Sequence, residues 1–239
     1  MAYIEGYPGR YDVLRTKRHL WLMLIACATL TGLAAWSALD QSQAGRGMGW
    51  TVLGVIALLM AAVSLKLNAK GWKKFLMPAR YARDLAGDTE VADQLAQLDD
   101  AHFVMHDFTF EFFHVQHLVI SPRGIFVVSR LPLEAELVVQ NGVLFAGQES
   151  LESLVSRMWR ICHLLNIIID KGFHLQIMPR PILVCAAQRK PEIGVFDEIR
   201  ILPLDELNRE IGSAGKESLR AEQAASIAGY IASRYLQAR

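Results

Sequence analysis

Cysteine and charge are both scarce in this chain of 239 residues. The three cysteines lie far apart, so neither a disulfide framework nor a paired-cysteine metal site is predicted. Charged residues make up 21% of the chain and apolar residues 52%, which excludes intrinsic disorder of the chain as a whole. The sequence also lacks a glycine-rich phosphate loop and a dinucleotide-binding glycine motif, so those two forms of nucleotide chemistry are not indicated.

Two long runs contain no charged residue. They extend from Leu20 to Leu39 and from Met48 to Leu65, each close to the roughly 20 residues that cross a bilayer. The runs predict a transmembrane hairpin over residues 19–67. Because neither run contains an ionisable side chain, we expect an anchor rather than a transport path.

Positive charge gathers near the outer ends of this hairpin. Residues 1–75 hold 9 Lys/Arg and 3 Asp/Glu, whereas residues 76–239 hold 16 and 21. Basic flanks stay in the cytoplasm, so both termini of a two-pass inner-membrane protein are predicted to be cytoplasmic. Residues 1–18 would form an N-terminal segment and residues 68–83 a basic linker. Contacts with anionic lipid are predicted for four lysines, Lys66, Lys70, Lys73 and Lys74.

From residue 78 onward the pattern is typical of an α/β domain with a mixed sheet. A domain is predicted over residues 84–211, followed by a C-terminal helix over 216–239 that packs on its own domain or against a partner helix. Gly87 is expected to interrupt the first helix. The predicted helices are Tyr81–Leu98, Ser150–Lys171, Leu204–Ile211 and Glu217–Leu236. The predicted strands are His102–Phe108, Glu111–Ile120, Gly124–Arg130, Glu136–Val139, Val143–Ala146, Pro181–Ala187 and Ile199–Leu202.

The stretch from His117 to Val128, His-Leu-Val-Ile-Ser-Pro-Arg-Gly-Ile-Phe-Val-Val, resembles part of the nuclease-related domain, NERD. The resemblance begins with Gly87–Leu98 and covers about residues 84–205, including the later hairpin, long helix and buried strand. It implies a restriction-endonuclease-like fold. In active members it implies a divalent metal held by acidic residues with a lysine nearby, since Mg²⁺ prefers hard oxygen ligands.

The residues at the family's site positions depart from the family pattern. The helix acid of that pattern corresponds to Asp88, and the Asp before the histidine is replaced by Gln116. The Glu and Lys of the next strand are replaced by Ser129 and Leu131. A shift of one residue would offer Arg130 as the cation, but without a carboxylate. The resemblance therefore implies a dismantled site with no catalytic residue, metal or cofactor.

Three functions are compatible with these patterns. The first is a membrane-anchored binding or assembly module within an inner-membrane complex that handles DNA in transfer, secretion or defence. Its expected partners are the lipid bilayer, other subunits of that complex and a second copy of the chain, whereas the acidic charge of the domain disfavours nucleic acid. A second hypothesis is an oligomeric structural subunit that assembles through the hairpin.

The enzymatic alternative is a metal-dependent nuclease whose acidic site has moved. It would use Mg²⁺ held by Asp88, Asp107 and Glu111, with Arg130 as the cation. It requires the three carboxylates to lie within about 4–6 Å of one another. The histidines His114 and His117 lie on the same predicted strands, where packing is their simpler role.

Overall fold

A computed structural model describes most of the chain outside the N-terminal apolar region. The described residues are 1–10, 78–131, 136–185, 191–213 and 218–236, with isolated helical positions between 21 and 66. The chain divides into two compact units, residues 1–10 with 83–239 and residues 11–82.

The prediction of a membrane hairpin is corrected by the helices of the structure. Among the described residues, no helix combines the length and the apolar character that crossing a bilayer requires. The longest, Glu152–Phe173, has 22 residues but carries Arg157, Arg160 and Asp170 along its length, and charges of this kind are costly in hydrocarbon. This finding overturns both the two-helix anchor and the two-pass inner-membrane location.

Most of the residues on which that prediction rested lie outside the described part of the chain. Nearly all of the runs 20–39 and 48–65 belong to this group, as do Lys70, Lys73 and Lys74. Lys66 is described as an exposed helical residue.

A mixed sheet forms the centre of the α/β unit, as predicted, and the described residues contribute seven strands to it. Its order is β1-β2-β3-β4-β8-β10-β9. Strands β2, β3 and β4 form an antiparallel meander, while β8 runs parallel to both β4 and β10. The strands of this sheet are β1 (Tyr3–Glu5), β2 (Phe103–Phe110), β3 (Phe113–Ser121), β4 (Gly124–Arg130), β8 (Arg180–Cys185), β9 (Val195–Phe196) and β10 (Ile199–Pro203).

A second, three-stranded sheet interrupts the path from β4 to the next helix. Its antiparallel strands are β5 (Leu137–Gln140), β6 (Val143–Ala146) and β7 (Glu149–Ser150). The Asn141-Gly142 turn joins β5 to β6 with positive φ at both residues, as the sequence signal predicts.

Helices cover both faces of the main sheet because its central strands are apolar on both sides. On one face, α1 (Pro78–Ala96) and α3 (Leu207–Ser213) share a core with Val119, Phe126 and Val128. On the other, α2 (Glu152–Phe173) and α4 (Ala221–Ile231) share a core with Leu118, Ile120 and Val127. A short 3₁₀ turn (Leu204–Glu206) precedes α3, and a π turn (Ala232–Leu236) follows α4.

The C-terminal helix packs on its own domain. Ala224, Ile227, Ala228 and Ile231 are buried in the core beneath α4. The predicted apolar stripe of this helix is therefore used within the chain rather than left for a partner helix.

Two strands of the main sheet, β1 and β9, were not predicted, and β1 has the more distant partner. Residues Tyr3–Glu5 pair in parallel with β2, so the first residues of the chain form the sheet edge. Gly6 follows with φ +83°, and its backbone passes so close that a Cβ there would lie 2.4 Å from the carbonyl oxygen of His106. A three-residue strand far from its partner in the sequence has no periodicity that could reveal it.

We expect substitution Gly6→Ala to destabilise the domain more than Gly142→Ala. Both glycines have positive φ, +83° and +75°, so each substitution carries the left-handed penalty of about 1 kcal/mol. Only position 6 adds a clash with backbone, since nothing lies within 4 Å of a Cβ at position 142. Urea unfolding of the two variants measures the difference, and equal losses would show that β1 is not held against β2.

Candidate functional site

Strand β4 presents alternate residues to the two faces of the sheet. Val128 packs in the core shared with α1, whereas Leu131 packs in the core shared with the small sheet. Successive side chains of a strand point to opposite faces, so Arg130 lies on the face of Val128 and Ser129 lies on the other. The polar residue that β4 directs towards α1 is therefore Arg130.

Three segments meet at Arg130. Its guanidinium donates a hydrogen bond of 3.2 Å to the backbone carbonyl of Asp84 and lies 3.7 Å from a carboxylate oxygen of Asp88, both on α1. Its backbone N–H donates to Oε1 of Gln116 on β3, at 3.0 Å. The side chain is only 10% exposed, and the Asp88 carboxylate offsets the cost of burying its charge. We call Asp88, Gln116 and Arg130 the Arg130 cluster.

The close approach of Arg130 to α1 depends on Gly87. A Cβ at this position would lie 2.2 Å from Cζ and 2.4 Å from Nε of Arg130. The predicted interruption of the helix at Gly87 is wrong, since α1 runs continuously from Pro78 to Ala96. The glycine leaves room for the guanidinium, at a cost in helix propensity of about 1 kcal/mol relative to alanine.

The two positions assigned to the family's Glu and Lys lie away from Asp88. Ser129 and Leu131 are 4% and 3% exposed, on the opposite face of the sheet from Arg130. With the one-residue shift, Arg130 takes the place of the lysine. The accompanying carboxylate would then stand at Val128, which is apolar and fully buried.

His117, the histidine of the family motif, is paired with a second buried histidine. Its Nδ1 lies 2.8 Å from Nδ1 of His106, directly across the β2–β3 ladder, so one ring donates and the other accepts. Burial lowers the pKa of His106 to about 4 and lowers the pKa of His117 well below its usual value. Asp93 and Asp107 partly oppose this effect on the pKa of His106. Both rings are therefore neutral near pH 7.

The other acidic candidates have partners of their own. Asp107, which has φ +52°, pairs with His114 on β3. Glu111 lies at the β2–β3 turn, where its carboxylate accepts a 2.6 Å hydrogen bond from the Tyr235 hydroxyl and lies 3.6 Å from Arg234. Glu111 thereby ties the C-terminal π turn to the hairpin.

The carboxylates of the relocated-site hypothesis are thus engaged separately. Asp88 contacts Arg130, Asp107 contacts His114, and Glu111 contacts the C-terminal turn. Within the described part of the chain, no three His, Cys, Asp or Glu side chains are grouped so as to hold a metal ion.

Neither described cysteine is placed for nucleophilic chemistry. Cys162 and Cys185 are buried, and burial raises the pKa of their thiols to about 12 and about 11. The reactive thiolate form is therefore negligible at neutral pH.

Comparison with known proteins assigns no family to the chain. No family model, no curated protein and no solved structure matches it.

The sequence singled out all three members of the Arg130 cluster but not the contacts among them. The sequence did not indicate that Gly87 makes room for the guanidinium or that the Asp84 carbonyl accepts a hydrogen bond from it. It also did not indicate that His106 is the partner of His117. A glycine inside a strongly helical pattern was the available signal, because such a residue commonly marks close packing.

Substitution Gly87→Ala should have opposite effects on stability with and without the arginine. In the intact chain the new Cβ displaces the guanidinium, and the lost contacts outweigh the gain in helix propensity of about 1 kcal/mol. In an Arg130→Ala background the same change should stabilise by about that amount. Chemical unfolding of the four proteins gives the coupling energy, expected at about 1–2 kcal/mol.

A helical glycine with free space around it provides the control. Nothing lies within 4 Å of a Cβ at Gly172, so Gly172→Ala should behave identically in both backgrounds. A coupling energy near zero for Gly87 and Arg130 would contradict the packing described here.

The histidine pair predicts a loss of stability in mild acid. The pKa of each histidine is depressed in the fold, whereas the unfolded chain titrates near 6.5, so the unfolded state binds more protons below that pH. Stability should be complete above about pH 6.5 and fall towards pH 4, by up to about 1.4 kcal/mol per pH unit for each histidine.

A double variant and an exposed histidine separate this effect from general acid sensitivity. In His106→Leu/His117→Leu, urea unfolding at several pH values should show a flatter loss of stability between pH 6.5 and 4. Replacing both partners of a hydrogen bond by apolar groups can be nearly neutral, so the fold should tolerate the change. His163→Gln should retain the full acid dependence, and equal slopes in all three proteins would refute the assignment.

Proposed function

We propose that residues 83–239 form a nuclease-like domain that has lost its metal site and acts as a non-catalytic binding module. The observation that carries this proposal is the position of Arg130. A guanidinium occupies the junction of helix and strands at which the family pattern would hold a metal ion.

The topology supports the first half of the proposal. The order α1, antiparallel β2-β3-β4, small hairpin sheet, α2 and then β8 is the order that the NERD resemblance implies. Positions 88 and 116, chosen from that resemblance alone, both contact Arg130 although they lie on different elements.

The charges of the cluster support the second half. A divalent cation needs carboxylate oxygens, yet the cluster offers one carboxylate, one neutral amide and one fixed positive charge. The positive charge of the Arg130 guanidinium repels a divalent cation that would bind beside Asp88. The cluster is therefore suited to holding α1 against the sheet, not to activating a water molecule.

The partner class follows from the charge of the domain. Residues 76–239 carry five more acidic than basic side chains. A long phosphate backbone would be repelled by this excess, so a protein subunit fits the module better than a nucleic acid polymer. A complex that handles DNA remains the setting suggested by the family resemblance.

The purified full chain should not cleave plasmid or single-stranded DNA in Mg²⁺ or Mn²⁺. The physical reason is that, among the described residues, no group of three His, Cys, Asp or Glu side chains is placed to hold the metal ion that cleavage requires. Agarose-gel assays over several hours measure this directly. Metal-dependent cleavage that is lost in Asp88→Asn would overturn the proposal.

A variant designed to bind a metal ion at the Arg130 cluster provides a second test of the proposal. Gln116→Asp combined with Arg130→Gln removes the positive charge and adds a second carboxylate to the Arg130 cluster. Calorimetry should show at least tenfold tighter Mn²⁺ binding by this variant than by the unaltered chain, in keeping with about 1.4 kcal/mol or more of added interaction. Arg209→Gln, which removes an exposed arginine elsewhere, should leave Mn²⁺ affinity unchanged.

A further inference from the structure

A cleft of about 690 Å³ lies on the face of the sheet opposite the Arg130 cluster. Its floor is one side of the first three turns of α2, where residues such as Ser156, Trp159, Arg160 and His163 recur at helical spacing. Its walls are the β5–β6 hairpin and the β9–β10 hairpin. This volume falls within the range of roughly 300–1,000 Å³ that is common for small-molecule sites.

The cleft has a rigid aromatic surface. Trp159 is half-buried, and its indole N–H donates a 3.1 Å hydrogen bond to the backbone carbonyl of Asp197, which fixes the ring. The ring centroid of His163 lies 5.7 Å away, and Phe196 lines the same space. A fixed indole that borders an open cleft offers a face on which a planar ring can stack.

One wall is held in an unfavourable backbone conformation. Asp197 and Glu198, the two central residues of the β9–β10 turn, have φ values of +47° and +59°. The turn on the other side of the cleft has Asn141 and Gly142 at its two central positions, and both residue types readily adopt positive φ. Glutamate, at position 198, does not. Strained positions of this kind concentrate at binding sites, and here the turn delivers the carbonyl that orients Trp159.

The polar lining supplies both signs of charge and a hydroxyl. Arg160 is exposed beside Trp159, while Ser156 and Glu152 lie one and two turns earlier on the same side of α2. A guanidinium suits a phosphate, and the hydroxyl and carboxylate suit the ring nitrogens and amino groups of a base. Since the acidic domain opposes a long phosphate backbone, one base with one phosphate matches this set better than a polymer does.

We infer that this cleft binds a nucleotide, with the base on Trp159 and the phosphate on Arg160. The acidic charge of the domain favours a free mononucleotide as the ligand, and the 5′-phosphorylated end of a single strand presents the same base and phosphate. The cleft shares no residue with the Arg130 cluster. A failure of nucleotide binding would therefore leave the proposed loss of nuclease chemistry unaffected.

Calorimetric titration of the full chain tests the inference. The probes are AMP, adenosine, inorganic phosphate and a ten-residue oligo-dA with and without a 5′ phosphate. We expect AMP to bind with a Kd below about 1 mM and at least tenfold more tightly than adenosine or phosphate alone. Binding of the phosphorylated strand but not of AMP would identify the strand end as the ligand and would also support the site.

Variants assign the binding to the cleft. Arg160→Gln should weaken AMP about tenfold while leaving adenosine unchanged, and Trp159→Leu should weaken both. Lys171→Gln, which removes an exposed cation near the end of the same helix, should change neither. Circular dichroism and thermal unfolding show whether each variant is folded. If Trp159→Leu does not fold, the comparison of Arg160→Gln with Lys171→Gln tests the inference.

Three results would overturn the inference. The first is that neither AMP nor the phosphorylated strand binds at concentrations up to about 5 mM. The second is equal weakening by Arg160→Gln and Lys171→Gln, which would indicate general charge attraction. The third is Trp159-dependent binding of a tyrosine-containing peptide but of no nucleotide.

Discussion

Burial of the central strands on both faces is the constraint on which the rest of this domain depends. Most residues of β3 and β4 are buried, so helices must cover both sides of the sheet. Each fully buried aliphatic side chain contributes roughly 1.5–3 kcal/mol, and polar residues on these strands must find partners within the protein.

The Arg130 cluster and the histidine pair show two ways in which buried polar side chains find partners within the protein. Arg130 ends β4 beneath α1, where a carboxylate, a carbonyl and the absence of a side chain at Gly87 accommodate its charge. His106 and His117 avoid charge altogether, because one neutral ring can donate to the other. Both groups lie on the face of the sheet that α1 covers, and neither leaves a set of ligands for a metal ion.

The two faces of the sheet therefore have different characters. On the α1 side Arg130 pairs with Asp88, and His117 pairs with His106. On the α2 side two hairpins rise beside the helix and leave a cleft that borders on Trp159. The proposed loss of nuclease chemistry concerns the α1 face, whereas the proposed nucleotide site lies on the α2 face.

The sequence by itself determined which segments become helices and strands. Alternation and helical periodicity are local, so the meander β2-β3-β4, the long helix α2 and the strand β8 were all predicted close to their observed bounds. The same local reasoning was wrong about the membrane hairpin and about a break at Gly87. An apolar run does not by itself establish that a membrane-spanning helix forms. A glycine in a helix does not by itself identify the side chain that packs against it.

Only the tertiary structure decided which side chains meet. The face that Arg130 occupies depends on the pleat of β4 relative to α1, and the separate partners of Asp88, Asp107 and Glu111 depend on elements up to 124 residues apart in the sequence. Strand β1 pairs with a segment about a hundred residues away and has no pattern of its own. Contacts at such separations are set by how whole layers pack, which no window of the sequence contains.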